Sequence, residues 1–214
     1  MKRLIILALA LTTGLTACED WLDKKPLDKI SQYDYFKDAT ALELFSNPFY
    51  NNLLAKEPFK EQSDQLVQYN LSNEMIGGNK RTVPSTGGGW TWTDLRRMNT
   101  LLAMAAEYCE DPAAVTKYSA ITRFFRAFFY FDKVKRFGDV PWYDKELGSA
   151  DPELYKARDS RELVLTNMIK DIDDAVNSGG LSEKATPYRV NKWTALALKA
   201  RFCLYEGTYR KYHG

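Results

Sequence analysis

Two tryptophans stand two residues apart behind a triple glycine, in the run Gly87-Gly88-Gly89-Trp90-Thr91-Trp92. Flat aromatic faces of this kind can cover the C–H surfaces of a sugar ring, while neighbouring hydrogen-bonding groups read its hydroxyls. Outside a helix, residues i and i+2 can present both rings on one side. Asn73, Glu74, Asn79, Lys80 and Arg81 supply polar groups in the same stretch. A plainer reading stands beside this one. Buried aromatics outnumber binding ones, and one or both tryptophans can instead cap the hydrophobic end of a helix starting at Thr93.

Other chemistries find little to work with. His213 is the lone histidine, which argues against a histidine-based metal site or a Ser-His-Asp triad. There is no phosphate loop, no Cys-x-x-Cys and no acid cluster with metal-ligand spacing, so no cofactor or metal is expected. Asp171, Asp173 and Asp174 are close in sequence but do not share a helix face, and a glycosidase needs two carboxylates opposed across a cleft. Formal charge is +2, and two of the basic residues, Lys2 and Arg3, fall in a leader. The near-neutral remainder carries no nucleic-acid footprint.

The leader is residues 1–17: a basic start, an apolar run from Leu4 to Leu11 and a short polar-small stretch. This is the pattern of an export signal and is too short to span a membrane. Leu15-Thr16-Ala17-Cys18 resembles a bacterial lipobox, so Cys18 is the expected lipidation site and the membrane anchor. Residues 18–31 then read as a lipidated tether. Cys109 and Cys203 fall in predicted helices. The exported compartment permits a disulfide between them, but no spacing forces one, and two buried, unpaired thiols are the expectation.

The elements that must position these groups are helical. Asp111 and Pro112 give a capping carboxylate followed by proline at the first helical position. Ile121, Phe124, Phe125, Phe128, Phe131 and Val134 follow at helical spacing, with Phe129, Tyr130 and Phe137 widening the stripe. Gly138 and Pro141 stop this central helix. Upstream, Thr40 with Glu43 and Thr91 with Asp94 match capping boxes. The first opens a helix with Leu42, Phe45 and Phe49 that Pro48 should kink or stop, with Tyr50-Asn51-Asn52-Leu53 continuing it. The second opens a helix with Leu95, Met98, Leu102, Ala105 and Cys109 inward. Its short turn makes it the antiparallel partner of the central helix. A second hairpin pairs a helix opened by Asp159 and Glu162, with Leu165, Met168, Ile169, Ile172 and Val176 inward, with one over 190–205. The latter is expected to turn Trp193, Leu196, Ala197, Ala200 and Leu204 inward. Residues 57–89 are loop-rich. Trp142 and Tyr143 are expected to pack under the Gly138–Pro141 turn, and Arg123, Arg126 and Arg201 to form structural ion pairs with Asp132 or Asp171. The fold class is all-α, helical hairpins with long irregular loops and no convincing strand.

Several of these segments carry a family resemblance. The Cys18 lipobox, Trp21-Leu22-Asp23, Arg97-Met98-Asn99, Arg126-Ala127, Arg136-Phe-Gly-Asp-Val-Pro141, Arg161-Glu162 with Asp171-Ile172, and Lys199-Ala200-Arg201 with Leu204-Tyr205 together resemble the SusD/RagB family. These are outer-membrane nutrient-binding lipoproteins of Bacteroidota. The resemblance implies tetratricopeptide-like hairpins over 32–214, a truncated SusD-like arrangement in which the family's C-terminal half is absent. It further implies non-catalytic oligosaccharide binding at the cell surface and delivery to a TonB-dependent, SusC-like porin. Family members place binding residues before the first hairpin, which adds positional support for Trp90, Trp92, Asn73, Glu74 and Arg81. The alternatives are a protein-binding helical scaffold without a sugar site and a surface glycosidase.

Overall fold

The central helix shows how the sequence sets its own limits. In the computed structural model, which describes residues 32–54, 69, 85 and 87–213, the Asp111 carboxylate accepts from the backbone N–H groups of Ala113 and Ala114 at 2.9 and 3.1 Å. Pro112 occupies the first turn, where its missing N–H costs nothing. At the other end Gly138 takes φ 72° and its N–H closes on the Val134 carbonyl. The 26 residues between, Pro112–Phe137, span about 39 Å.

The chain divides into two compact units, Met1–Tyr35 and Phe36–Gly214. Of the first, residues 32–35 are described, as the start of helix α1 (Gln32–Phe36). The second is built from α2 (Ala39–Leu53), α3 (Thr93–Tyr108), α4 (Pro112–Phe137), α5 (Arg161–Asn177) and α6 (Lys192–His213), with a 3-10 turn at Pro152–Tyr155. Helix α4 packs against α2, α3, α5 and α6. That explains why both its flanks are aromatic: Phe124, Phe125, Phe129, Tyr130 and Phe131 are all buried. Helices α3–α4 and α5–α6 form two hairpins. Among the described residues the nearest thing to a strand is one isolated antiparallel bridge, Val140 with Asp159.

Polar contacts fix how the helices meet. The Arg126 guanidinium grips Asp171 of α5 through two hydrogen bonds, 2.7 Å from Nε and 2.6 Å from Nη2. Burial works against its charge, but the Asp171 carboxylate outweighs that and holds the guanidinium pKa above its usual value. Arg123 adds bonds to Asp171 and Asp174. Arg201 lies exposed on α6 outside this network, and Asp132 pairs with Lys135 rather than with an arginine. Between α5 and α6, Gly180 runs so close to α4 that a Cβ there would sit 2.3 Å from the Thr116 carbonyl oxygen. Cys109 and Cys203 are free, as expected, though each is half-buried rather than buried.

Four details differ from the sequence-based expectations. Helix α2 is capped by Asp38, whose carboxylate accepts from the Ala41 N–H. Glu43 reaches instead to Tyr118 and Arg189, so the Thr40/Glu43 box is not used. Helix α3 starts without a side-chain cap, and Asp94 accepts from the Asn52 amide. Ser160 caps α5, because Asp159 is engaged by the Trp142 N–H and Lys156. Helix α6 is longer than expected, and it faces the other way. Ala195, Leu198, Phe202 and Glu206 point inward, while Trp193, Ala197, Ala200 and Leu204 are exposed.

Candidate functional site

A cleft of about 660 Å³ lies between the start of α3 and the α4–α5 connector. Its aromatic wall begins with the triple glycine. Gly87, Gly88 and Gly89 all have positive φ (78°, 66° and 82°), a backbone path that side-chain-bearing residues rarely follow. The buried Lys133 ammonium donates to the Gly89 carbonyl, and the Trp90 N–H closes a turn on Gly87 at 3.4 Å. Burial lowers the Lys133 pKa below its ordinary value. The loop thereby delivers Trp90 to the surface of α4.

Trp90 is 39% exposed. It meets Trp92 edge to face at 5.1 Å and 80°, and Phe137 at 4.9 Å and 87°. The two indoles therefore stand perpendicular rather than forming one flat platform. Trp92 is half-buried against Phe129 and Tyr143, each 5.7 Å away, and seals the helix end while its remaining edge lines the cleft. Both readings of the pair thus meet in this geometry: Trp92 mainly packs, and Trp90 offers a face.

Part of the lining comes from the segment between Pro141 and Gly148. Asn99 of α3 donates to the carbonyls of Tyr143 and Lys145 at 3.1 and 3.0 Å. Its own side-chain carbonyl accepts from Arg126 at 2.9 Å. The Tyr143 N–H donates to the Tyr130 hydroxyl at 2.7 Å, and burial pushes the Tyr130 phenol pKa far up, keeping it a neutral partner. Glu146 accepts from Thr100 and Arg96. The Thr100 hydroxyl first, then Arg96, holds the Glu146 carboxyl below the usual range. Trp142 stacks on Tyr130 at 4.2 Å, packing beneath the turn as expected. Tyr143 does more than pack, since its ring lines the cleft.

Of the predicted site residues, the structure brings Trp90 and Trp92 together in this cleft. Asn73, Glu74 and Arg81, like Cys18, lie outside the described residues. Arg96, Lys145, Lys156 and Arg158, which the sequence reading does not single out as site residues, also line it, as does Tyr143, expected there to pack under the turn. Tyr143 had a signal, its place beside Trp142 after a proline turn; the four cations had none, lying up to 68 residues from Trp90 in ordinary polar surroundings. Among the described residues the lining contains no carboxylate.

Comparison with known proteins matches this architecture. Residues 34–191 match the SusD-like family described as "Starch-binding associating with outer membrane", and the chain belongs to that family. A SusD-like protein, P38, from Formosa agariphila is 25% identical over 215 aligned positions, covering 91% of this chain and 40% of its own. Two crystal structures share the fold. One, a SusD-like protein from Bacteroides fragilis, has 20% identity and a TM-score of 0.59 over 87% of this chain and 39% of its own. The other, a SusD-like carbohydrate binding protein from Bacteroides vulgatus, has 15% identity and a TM-score of 0.51 over 82% and 43%. The chain spans about two fifths of the length of these relatives. Among the described residues no helix is long and apolar enough to cross a membrane.

Proposed function

We propose that this protein binds oligosaccharide non-catalytically at the outer surface of the cell and passes it to a TonB-dependent, SusC-like porin for uptake. Lipid on Cys18 would hold it at the outer membrane. The observation that carries the reading is the cleft: an exposed Trp90 backed by Trp92 and Phe137, facing a wall whose backbone is held by Asn99 and Arg126. An aromatic face beside convergent polar groups suits a sugar, which is apolar on its C–H surface and rich in hydroxyls at its rim. Family membership agrees with carbohydrate binding and outer-membrane association. In this reading Trp90 stacks on the sugar, Trp92 supports it from behind, and Asn73, Glu74 and Arg81 reach the hydroxyls.

The test is affinity electrophoresis of the full chain, prepared in mild detergent, through gels containing different polysaccharides. Trp90→Ala is the informative variant, since Trp90 is largely peripheral and its loss should leave the fold intact. Trp92→Ala removes core contacts as well. Selective retardation that vanishes in Trp90→Ala, with an unchanged thermal transition, supports the assignment. Retardation that survives keeps the function and moves the site elsewhere.

A second reading, a helical scaffold that binds protein, is favoured by the exposed apolar face of α6, where Trp193 and Leu204 stand outward. Absence of retardation by every polysaccharide, together with co-purification of a partner lost on Trp193→Ser/Leu204→Ser, would favour it.

A further inference from the structure

The cleft has a charge bias that stacking on Trp90 does not require. Four cationic side chains line it: Arg96, Lys145, Lys156 and Arg158. Three have a carboxylate close behind them. Arg96 meets Glu146 at 3.0 Å, Lys145 meets Glu153 at 2.7 Å, and Lys156 meets Asp159 at 2.9 Å. Arg158 differs. Among the described residues it has no carboxylate partner. Its guanidinium carbon lies 5.0 Å from the centre of the Trp90 ring, and one N–H reaches the Phe137 carbonyl at 3.5 Å.

An arginine in that position is a permanent positive charge with most of its donors unspent. The planar guanidinium matches a carboxylate or a sulfate through two parallel hydrogen bonds. It lies over the ring of Trp90, the exposed tryptophan of the cleft. A neutral sugar stacked on Trp90 would leave this group to water. A sugar bearing an anionic substituent would satisfy both at once. The carboxylates of Glu146, Glu153 and Asp159 offset the charges of Arg96, Lys145 and Lys156, which leaves Arg158 as the unbalanced cation of the described lining.

On the reading of the cleft as an oligosaccharide site, we propose that its preferred ligand is an acidic saccharide, carrying either a uronate carboxylate or a sulfate ester, and that Arg158 beside Trp90 recognises the anionic group. Arg158, the cation without a carboxylate partner among the described residues, makes the direct contact.

The experiment runs the full chain in mild detergent through gels containing polygalacturonate, a sulfated galactan, a neutral galactan or polyglutamate. Retardation by at least one acidic glycan is expected to exceed that by neutral galactan about ten-fold at low salt and to fall as salt screens the contact. Arg158→Gln should remove about ten-fold of the acidic-glycan affinity and change neutral-glycan affinity less than about two-fold. Arg158→Lys, which keeps the charge and loses the fork, should recover part of the loss. The polygalacturonate and sulfated-galactan lanes separate the carboxylate from the sulfate. Retardation by neutral galactan equal to that by both acidic glycans, and lost only in Trp90→Ala, overturns the acidic preference while the oligosaccharide reading stands. So does an Arg158→Gln chain that behaves as the parent. Equal retardation by polyglutamate also overturns it, because charge alone would then explain the binding. If no glycan retards the chain, the oligosaccharide reading falls and takes the acidic class with it.

Discussion

Helices α4 and α6 are each the second member of a hairpin, and both carry bulky apolar residues around much of their circumference. They end up differently. Four helices cover α4, and its phenylalanines are buried on both flanks. Helix α6 meets α5 and α4 along one side only. It leaves Trp193 56% and Leu204 73% exposed while burying Ala195 and Glu206. Apolar bulk decides the facing of a helix only where neighbours stand on every side. On α6 the decision falls to a polar anchor. Glu206 is buried because Arg161 of α5 binds it at 2.7 Å, with the guanidinium carbon 3.7 Å from the centre of the Tyr209 ring. Burial opposes the Arg161 charge, but the bond and charge of Glu206 outweigh it and hold its pKa above the usual value. Turning α6 outward at this point would strand both charges.

This contrast can be broken at either end. The largest effect is expected for Phe125→Ala on α4. The ring is fully buried between Phe49, Tyr50 and Phe124, so its removal should cost about 3–5 kcal/mol in urea unfolding. A cost under 1 kcal/mol would mean that α4 is not the centre of the core. Next comes Glu206→Ala, which leaves Arg161 in its buried setting without a counter-charge. About 3 kcal/mol is expected, at the low end for a broken buried pair because Arg161 keeps some solvent. A near-neutral outcome would show that the pair does not orient α6.

A smaller effect should follow acidification. The Glu146 carboxyl is held below its ordinary 4.5 by Thr100 and Arg96. Burial works against Asp159, yet the Trp142 N–H and Lys156 hold it below 3.8. Both pKa values are depressed in the folded chain, so their stabilisation is complete above those ordinary values and is lost as pH falls through the folded ones. Tryptophan fluorescence should therefore report loosening of the 141–159 segment below about pH 4, before global unfolding. Coincident transitions would count against it. The smallest change is expected for Leu204→Ser, within about 0.5 kcal/mol, despite the size of the side chain removed. A loss of several kcal/mol in urea unfolding would show that this face of α6 is covered.

The same contrast explains how much could be read beforehand. Helix α4 was legible because everything that defines it is local: the Asp111–Pro112 start, the phenylalanine spacing and the Gly138 stop. The inward face of α6 was not. A search for apolar periodicity selects Trp193, Leu196, Ala197, Ala200 and Leu204, and nothing near Glu206 announces a partner 45 residues earlier. The capping boxes at Thr40/Glu43 and Thr91/Asp94 mislead for a related reason, because Glu43 and Asp94 are drawn to distant partners, Arg189 and Asn52. In the cleft, Trp90 and Trp92 were visible as neighbours in the chain. Arg158 and Tyr143 reach them only through the path of the α4–α5 connector, which periodicity does not encode.

Arg126 has a consequence for binding itself. One guanidinium holds Asn99 of α3, the Asp144 carbonyl and Asp171 of α5, and Asn99 in turn fixes two carbonyls of the cleft wall. That wall is therefore ordered by the same contact that joins the two hairpins. On the proposed reading, an arriving ligand would meet a surface already held in shape, and the entropy lost on binding would fall on the rim side chains and on the ligand's own linkages.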